Sequence, residues 1–137
     1  MNQQQTKEVK VETYKGKAGL KSVLRDILRE KRDYVGYGEG TRFGKILPIF
    51  YELFRKQSDK LGLGLKLILR RGAKVPKREK LIVKHMDFVS PSTTFIYANK
   101  VVIIIWEPFP TAIRITDKQT ADSYRNYFEL LWKIAKK

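Results

Sequence analysis

A chain of 137 residues with an ordinary share of aliphatic and aromatic side chains is long enough for one domain with a real core. It has no Cys, which excludes disulfides, thiolate metal sites and thiol nucleophiles, and its single His leaves no multi-histidine metal centre. The formal net charge of +15 is concentrated: residues 55–85 alone carry eleven basic and two acidic side chains, the field of a protein that meets polyanions.

No apolar run approaches the ~20 residues a bilayer span needs, and the first residues lack the apolar core of a signal peptide. A cytoplasmic protein with no membrane partner is expected, and nothing in the sequence calls for a cofactor. Few Gln and Asn beside abundant Lys and Arg is a thermophile-like bias.

Residues 1–13 read as a flexible polar lead, too short for a helix-turn-helix module. Residues 14–137 read as a single domain. Leu20, Val23, Leu24, Ile27 and Leu28 make one apolar stripe and predict a helix over 16–31, with Asp26 placed away from the stripe. A short strand follows over 33–37 and ends in the run Gly36-Tyr37-Gly38-Glu39-Gly40.

A second helix is expected over about 43–61. Pro48 is tolerated only in a first turn, so the helix should begin near Lys45. A strand, a glycine-rich loop and a helix start can form an anion site, in which Thr41 and Arg42 would act. The spacing is neither a Rossmann nor a Walker A pattern, and the glycines read first as a tight strand-to-helix turn that needs φ > 0.

Leu63, Leu65, Leu67 and Leu69 alternate and predict a strand over 62–69. Residues 70–80, R-R-G-A-K-V-P-K-R-E-K, are dense in Arg and Lys around Gly72 and Pro76. With a strand over 81–86 beyond them, they read as the tip of a long β-hairpin, a basic arm for phosphate contact.

Thr93–Ala98 and Val101–Trp106 are rich in β-branched and aromatic residues, with Asn99-Lys100 as a two-residue turn between them. Val101–Ile105 is apolar throughout and should lie at the centre of a sheet covered by helices. A turn at 107–110, a strand over 111–115 and a helix over 116–137 complete the chain. That helix is capped by Thr116 or Asp117. Tyr127, Leu130 and Trp132 widen its apolar surface beyond one stripe, toward the sheet or a dimer contact.

The order of elements around the hairpin resembles one half of the phospholipase D fold, whose catalytic motif is H-x-K-x(4)-D. Laid on this hairpin, the motif falls on Ser92, Thr94 and Asn99. A hydroxyl with no base beside it is a poor nucleophile, and Thr and Asn cannot supply the charge that steadies a transferring phosphoryl group. The resemblance therefore implies a degenerate, non-catalytic site.

Y-K-G-K-A-G-L-K at 14–21, the hairpin at 95–106 and D-S-Y-R-N-Y-F-E-L-L-W-K at 122–133 resemble the C-terminal effector domain of archaeal TrmB-like transcription regulators. Those domains are degenerate phospholipase D-like units that sense sugars and dimerise. The resemblance implies an α/β (α+β) fold, one mixed sheet flanked by helices, and a role in transcription regulation, here without the family's winged helix.

Two main functions follow. The first is a non-catalytic nucleic-acid-associated protein, its phosphate contacts supplied by Lys66, Arg70, Arg71, Lys74, Lys77, Arg78, Lys80 and Lys84. The second is a dimeric regulatory domain that senses a small molecule, with a ligand cleft at Gly38, Glu39, Thr41, Arg42, Ser92, Thr94 and Glu107. A surviving phosphodiesterase would have only His85 as its ancestral kind of nucleophile.

Overall fold

A computed structural model describes residues 8–87 and 90–137. In chain order the elements are β1 (Lys10–Lys15), α1 (Gly16–Glu30), β2 (Tyr34–Gly38), α2 (Arg42–Ile46), α3 (Pro48–Leu61), β3 (Leu65–Arg70), β4 (Leu81–Met86), β5 (Thr93–Tyr97), β6 (Lys100–Ile105), β7 (Thr111–Thr116) and α4 (Lys118–Ile134). The strands form one mixed sheet in the order β1-β7-β6-β5-β2-β3-β4. β2, β3 and β4 run parallel, and the other pairings are antiparallel.

The hairpin β5–β6 stands at the middle of the sheet, and Ile96, Tyr97, Val101, Val102 and Ile104 have no exposed surface. Its turn is Ala98-Asn99, one residue earlier than the sequence suggests: Tyr97 pairs with Lys100, and Ala98 carries the positive φ of 51°. The shift leaves Lys100 inside β6, where it has an electrostatic partner.

One face of the sheet carries α1, α3 and the main core, in which Leu65, Leu67 and Leu69 pack with Phe43, Phe95 and Trp106. The other face carries α4, whose Ala121 and Phe128 are fully buried against Ile96, Val101 and Ile68. Asp117 caps α4, its carboxylate accepting from the Thr120 backbone N–H at 3.0 Å and the Thr120 hydroxyl at 2.7 Å. Tyr127, Leu130 and Ile134 of α4 remain largely exposed.

Four further sequence expectations are corrected. Residues 10–13 are not part of a flexible lead: they belong to β1, which pairs with β7 along its whole length. The helix expected over 43–61 is two helices. Leu47 interrupts them, and Pro48 sits at the start of α3, where its missing N–H costs nothing. Asp26 is not turned to solvent; it is 2% exposed. The fourth correction concerns the basic segment, because β3 and β4 are parallel neighbours and no hairpin joins them.

A parallel pair needs a connection that runs back along the strand. Six residues of strand span about 20 Å, and the ten residues 71–80 reach about 33 Å when extended. They cross over the α1/α3 face without a helix. Ala73 and Val75 pack into the main core, and Arg78 lies beneath the surface.

Candidate nucleic-acid interface and cleft

The crossover is fastened at both ends and in the middle. Arg71 donates its backbone N–H to the Met86 carbonyl at 2.9 Å, and Ala73 donates to the Arg70 carbonyl at 3.0 Å. The Arg55 guanidinium reaches the Lys77 carbonyl at 3.3 Å, and the Glu79 N–H meets the Asp59 carboxylate at 3.1 Å. Leu65 N–H then bonds the Lys80 carbonyl at 2.9 Å. The segment is thus a fixed basic ridge, not a flexible arm.

Its charges divide by exposure. Arg70, Arg71, Lys74, Lys77 and Lys80 are exposed. Arg71 also meets Asp87 at 2.8 Å, a pair with both side chains in solvent and hence of little energetic weight. Arg78 is spent internally. Its guanidinium donates to the Tyr34 hydroxyl at 2.8 Å and lies 5.6 Å and 5.7 Å from the Tyr34 and Phe54 ring centres. Among the expected phosphate contacts, Arg78 is therefore excluded by burial.

Lys66 and Lys84 belong elsewhere, on the α4 face. Their ammonium groups lie 5.6 Å and 4.6 Å from the Trp132 ring centre, and Lys84 also donates to the Trp132 carbonyl at 3.0 Å. Lys80 stands near Gly62, at the C-terminal end of α3, where a cation suits the helix dipole.

The basic ridge shares its first residues with a cleft at the C-terminal ends of β2 and β3. The cleft encloses about 810 Å³ and brings Gly38–Arg42 together with Arg70–Ala73, Asp87 and Ser90–Pro91. In open sheets with parallel strands this end is where ligands are taken up. Arg42, Arg70 and Arg71 line it together with Glu39 and Asp87.

The glycine-rich loop owes its shape to close backbone contact. Gly38 has φ +115°, and a Cβ there would lie 2.0 Å from the Ser92 carbonyl oxygen. Glu39 then donates its N–H to that same oxygen at 3.0 Å and accepts from the Thr41 hydroxyl at 2.7 Å. The Thr93 hydroxyl donates to the Glu39 carbonyl and receives the Trp106 indole N–H at 2.9 Å. The glycines thus serve a turn locked onto the hairpin.

The remaining expected cleft residues scatter. The Ser92 hydroxyl lies 2.7 Å from that of Ser90, beside the cleft wall. Thr94 is 4% exposed and belongs to the sheet interior, out of the cleft. Asn99 is in the turn at the far end of β5. Glu107 is exposed at the rim, paired with Arg42 at 2.6 Å. His85 Nε2 meets the Ala73 carbonyl at 3.2 Å, and its backbone bridges to Lys136. Among the described residues, no group of three or more metal-ligating side chains occurs.

Sequence reasoning missed the strongest electrostatic feature. Asp26 receives the Tyr97 hydroxyl at 2.7 Å, Lys100 at 2.8 Å, Arg114 at 2.8 Å and Arg29 at 2.9 Å. Lys100 also reaches Glu30 at 2.6 Å, and Arg114 reaches Glu12 at 2.9 Å. Burial alone would raise the Asp26 carboxyl. The hydrogen bonds from Lys100 and Tyr97 and the charge of Arg114 outweigh burial and hold it below its ordinary value. The signal in the sequence was spacing, since Asp26 follows Val23 by three residues on the buried stripe. The cluster ties α1 to β1, β5, β6 and β7.

Among the described residues, no helix is long and apolar enough to cross a membrane. No family model and no curated protein matches the chain. Solved structures do match in fold. TrmBL2, described as an archaeal chromatin protein with a novel mode of DNA binding, superposes with a TM-score of 0.65 at 16% identity. That match covers 93% of this chain and 54% of TrmBL2, so the chain spans about half of that protein's length. NucT from Helicobacter pylori superposes with a TM-score of 0.67 at 8% identity, covering 94% of this chain and 99% of NucT. Polyphosphate kinase from Porphyromonas gingivalis gives 0.57 at 10% identity, over 85% of this chain and 22% of the enzyme. The fold is phospholipase D-like and close to that of the TrmB-like proteins.

Proposed function

We propose that this protein is a non-catalytic nucleic-acid-binding module that holds the phosphate backbone of duplex DNA on its basic crossover. The observation that carries the proposal is the fixed, exposed row Arg70, Arg71, Lys74 and Lys77 on a chain of net charge +15. A ridge already in place loses little conformational entropy on binding, and Lys and Arg that neutralise phosphates release counterions. TrmBL2, with the same fold, is described as binding DNA, which supports the reading.

The non-catalytic part rests on Ser92, Thr94 and Asn99. The Ser92 hydroxyl has another hydroxyl as its neighbour, not a base. His85 is committed to the β3–β4 edge through Ala73 and Lys136. Binding through backbone contacts predicts that 20-base-pair duplexes of unrelated sequence bind with affinities within a few fold of one another. It also predicts that all of them weaken steeply with salt. Gel shifts at 50 and 200 mM salt measure both, and affinity that stays flat would contradict the proposal.

A second reading, a dimeric small-molecule-sensing regulator, is favoured by the cleft of about 810 Å³ and by the exposed stripe Tyr127, Leu130 and Ile134 on α4. It predicts a raised melting temperature with some sugar or nucleotide in a broad panel, and a dimer in sedimentation equilibrium that Leu130→Glu dissociates.

A further inference from the structure

We infer that the corner between α4 and the N-terminal ends of β2, β3 and β4 is a binding site for a nucleoside phosphate. It lies at the opposite end of these strands from the cleft described above. It goes beyond the duplex-binding proposal and does not rest on it.

The corner exists because α4 crosses the sheet obliquely. The start of the helix buries Ala121 over Ile96 and Val101, and its end sets Phe128 and Trp132 against Ile68 and Met86. The first residues of β3 and β4 are left without a helix above them. The space encloses about 570 Å³, within the range of small-molecule sites of about 300–1,000 Å³.

Its chemistry is divided as a nucleotide's is. Val35, Ile96 and Ile82 supply an apolar floor, and Ile82 is 48% exposed although it stands in a strand. A planar base laid there would cover it. Lys66 rises from β3 between the buried Leu65 and Leu67. A lysine in an interior strand, on a face a helix would otherwise cover, keeps the corner open and places a cation beside the floor. Lys80 lines the rim with its ammonium beside Gly62, from which a rotation of its flexible side chain brings a second cation to the corner, and Arg125 forms the helix wall. Neither Lys66 nor Lys80 has an ion-pair partner among the described residues, whereas Arg125 is held by Asp122 and the Ala98 carbonyl. Asp33 and Glu79 stand at the same rim as acceptors for hydroxyls. One Asp33 oxygen is taken by the Gly64 N–H at 2.8 Å, which fixes that carboxylate in place.

The two cations favour a phosphate, the apolar floor a base, and the carboxylates a sugar between them. The same chemistry serves a free mononucleotide or one unit of a single strand. Calorimetric titration of the full chain at 50 mM salt with adenosine 5′-monophosphate, adenosine, inorganic phosphate and an eight-nucleotide single strand separates these. The monophosphate is expected to bind about tenfold or more tightly than adenosine or phosphate alone. Lys66→Glu is expected to weaken it by about tenfold or more, since one charge-assisted contact is lost and a repulsion added. Lys17→Glu, the same charge change on exposed α1 across the sheet, is expected to weaken it by less than about twofold.

A single strand that binds tighter than the monophosphate, and loses that advantage with Lys66→Glu, identifies strand binding. Equal or weaker binding identifies the free nucleotide. No detectable binding of the monophosphate at millimolar concentration would overturn the inference, as would equal losses with Lys66→Glu and Lys17→Glu. Gel shifts with duplex DNA on the same wild-type preparation report the crossover separately, so either proposal can fail alone.

Discussion

Asp26 shows how much one side chain can organise. A carboxylate 2% exposed, with Tyr97, Lys100, Arg114 and Arg29 on its two oxygens, is stable only while all of them stay in place. Breaking a buried pair by removing one partner costs about 3–5 kcal/mol, because the other charges are left uncompensated. Asp26→Asn is therefore expected to lower the urea unfolding free energy by about 3 kcal/mol. A loss under about 1 kcal/mol would mean the cluster is solvated.

The same cluster sets the response to pH. The folded Asp26 carboxyl lies below its ordinary value, so its stabilisation is present above the unfolded pKa of about 4. That stabilisation is lost as pH falls through the lower folded value. Burial lowers Lys100, but its bonds to Asp26 and Glu30 outweigh that and leave it raised. Its contribution is present below about 10.5 and is lost as pH rises through the higher folded value. Urea unfolding between pH 2 and 5 should show the wild type losing stability on the acid side that Asp26→Asn never had. Gly38→Ala is the backbone counterpart. With φ +115° and a backbone oxygen 2.0 Å from the added Cβ, it is expected to cost more than about 2 kcal/mol, read as a lowered urea midpoint.

At the scale of elements, the central hairpin was plain in the sequence because its residues report their own burial. An unbroken run from Val101 to Ile105 has one comfortable place, the middle of a covered sheet. The β1 strand was not legible for the opposite reason. K-V-E-T-Y-K is mostly polar, and only Arg114 across the sheet explains why Glu12 and Tyr14 turn inward. The crossover was misread because two strands around a polar loop look like a hairpin whichever way the second strand runs. Its length was the available clue, since ten residues exceed the usual hairpin loop and match a return along six residues of strand.

That correction changes what each basic residue does. Arg78, buried beside Tyr34 and Phe54, serves packing, and Arg71 faces solvent. Replacing Arg78 with Met keeps the volume and removes a buried charge, a change that is often neutral or stabilising. Arg78→Met should leave duplex affinity within about threefold. Arg71→Ala should weaken it uniformly across sequences by about three- to tenfold. Fluorescence anisotropy on two unrelated duplexes compares them, and an equal loss from both variants would place Arg78 in the interface.

For the whole molecule, the architecture separates three tasks. The Asp26 cluster and the hairpin hold the sheet together. The parallel strands point their C-terminal ends at a cleft lined by Gly38–Arg42, Arg70–Ala73, Asp87 and Ser90–Pro91. The crossover, ten residues of loop over 71–80 in place of a covering helix, puts most of its charge outside and buries Arg78. The fold was legible in the sequence through the hairpin and its neighbours. The candidate site was legible as a composition, but its geometry depended on the direction of β4, which residue patterns do not record.

The most direct test compares the salt dependence of duplex binding for the wild type and for Arg70→Ala, Arg71→Ala, Lys74→Ala and Lys77→Ala combined. All four side chains are exposed, so the variant should fold. Each phosphate neutralised contributes about −0.9 to the slope of log K against log salt. The quadruple variant's slope is expected to be shallower by about 3 to 4. An unchanged slope would rule out the basic crossover as the interface, because the phosphate contacts would then lie on another surface.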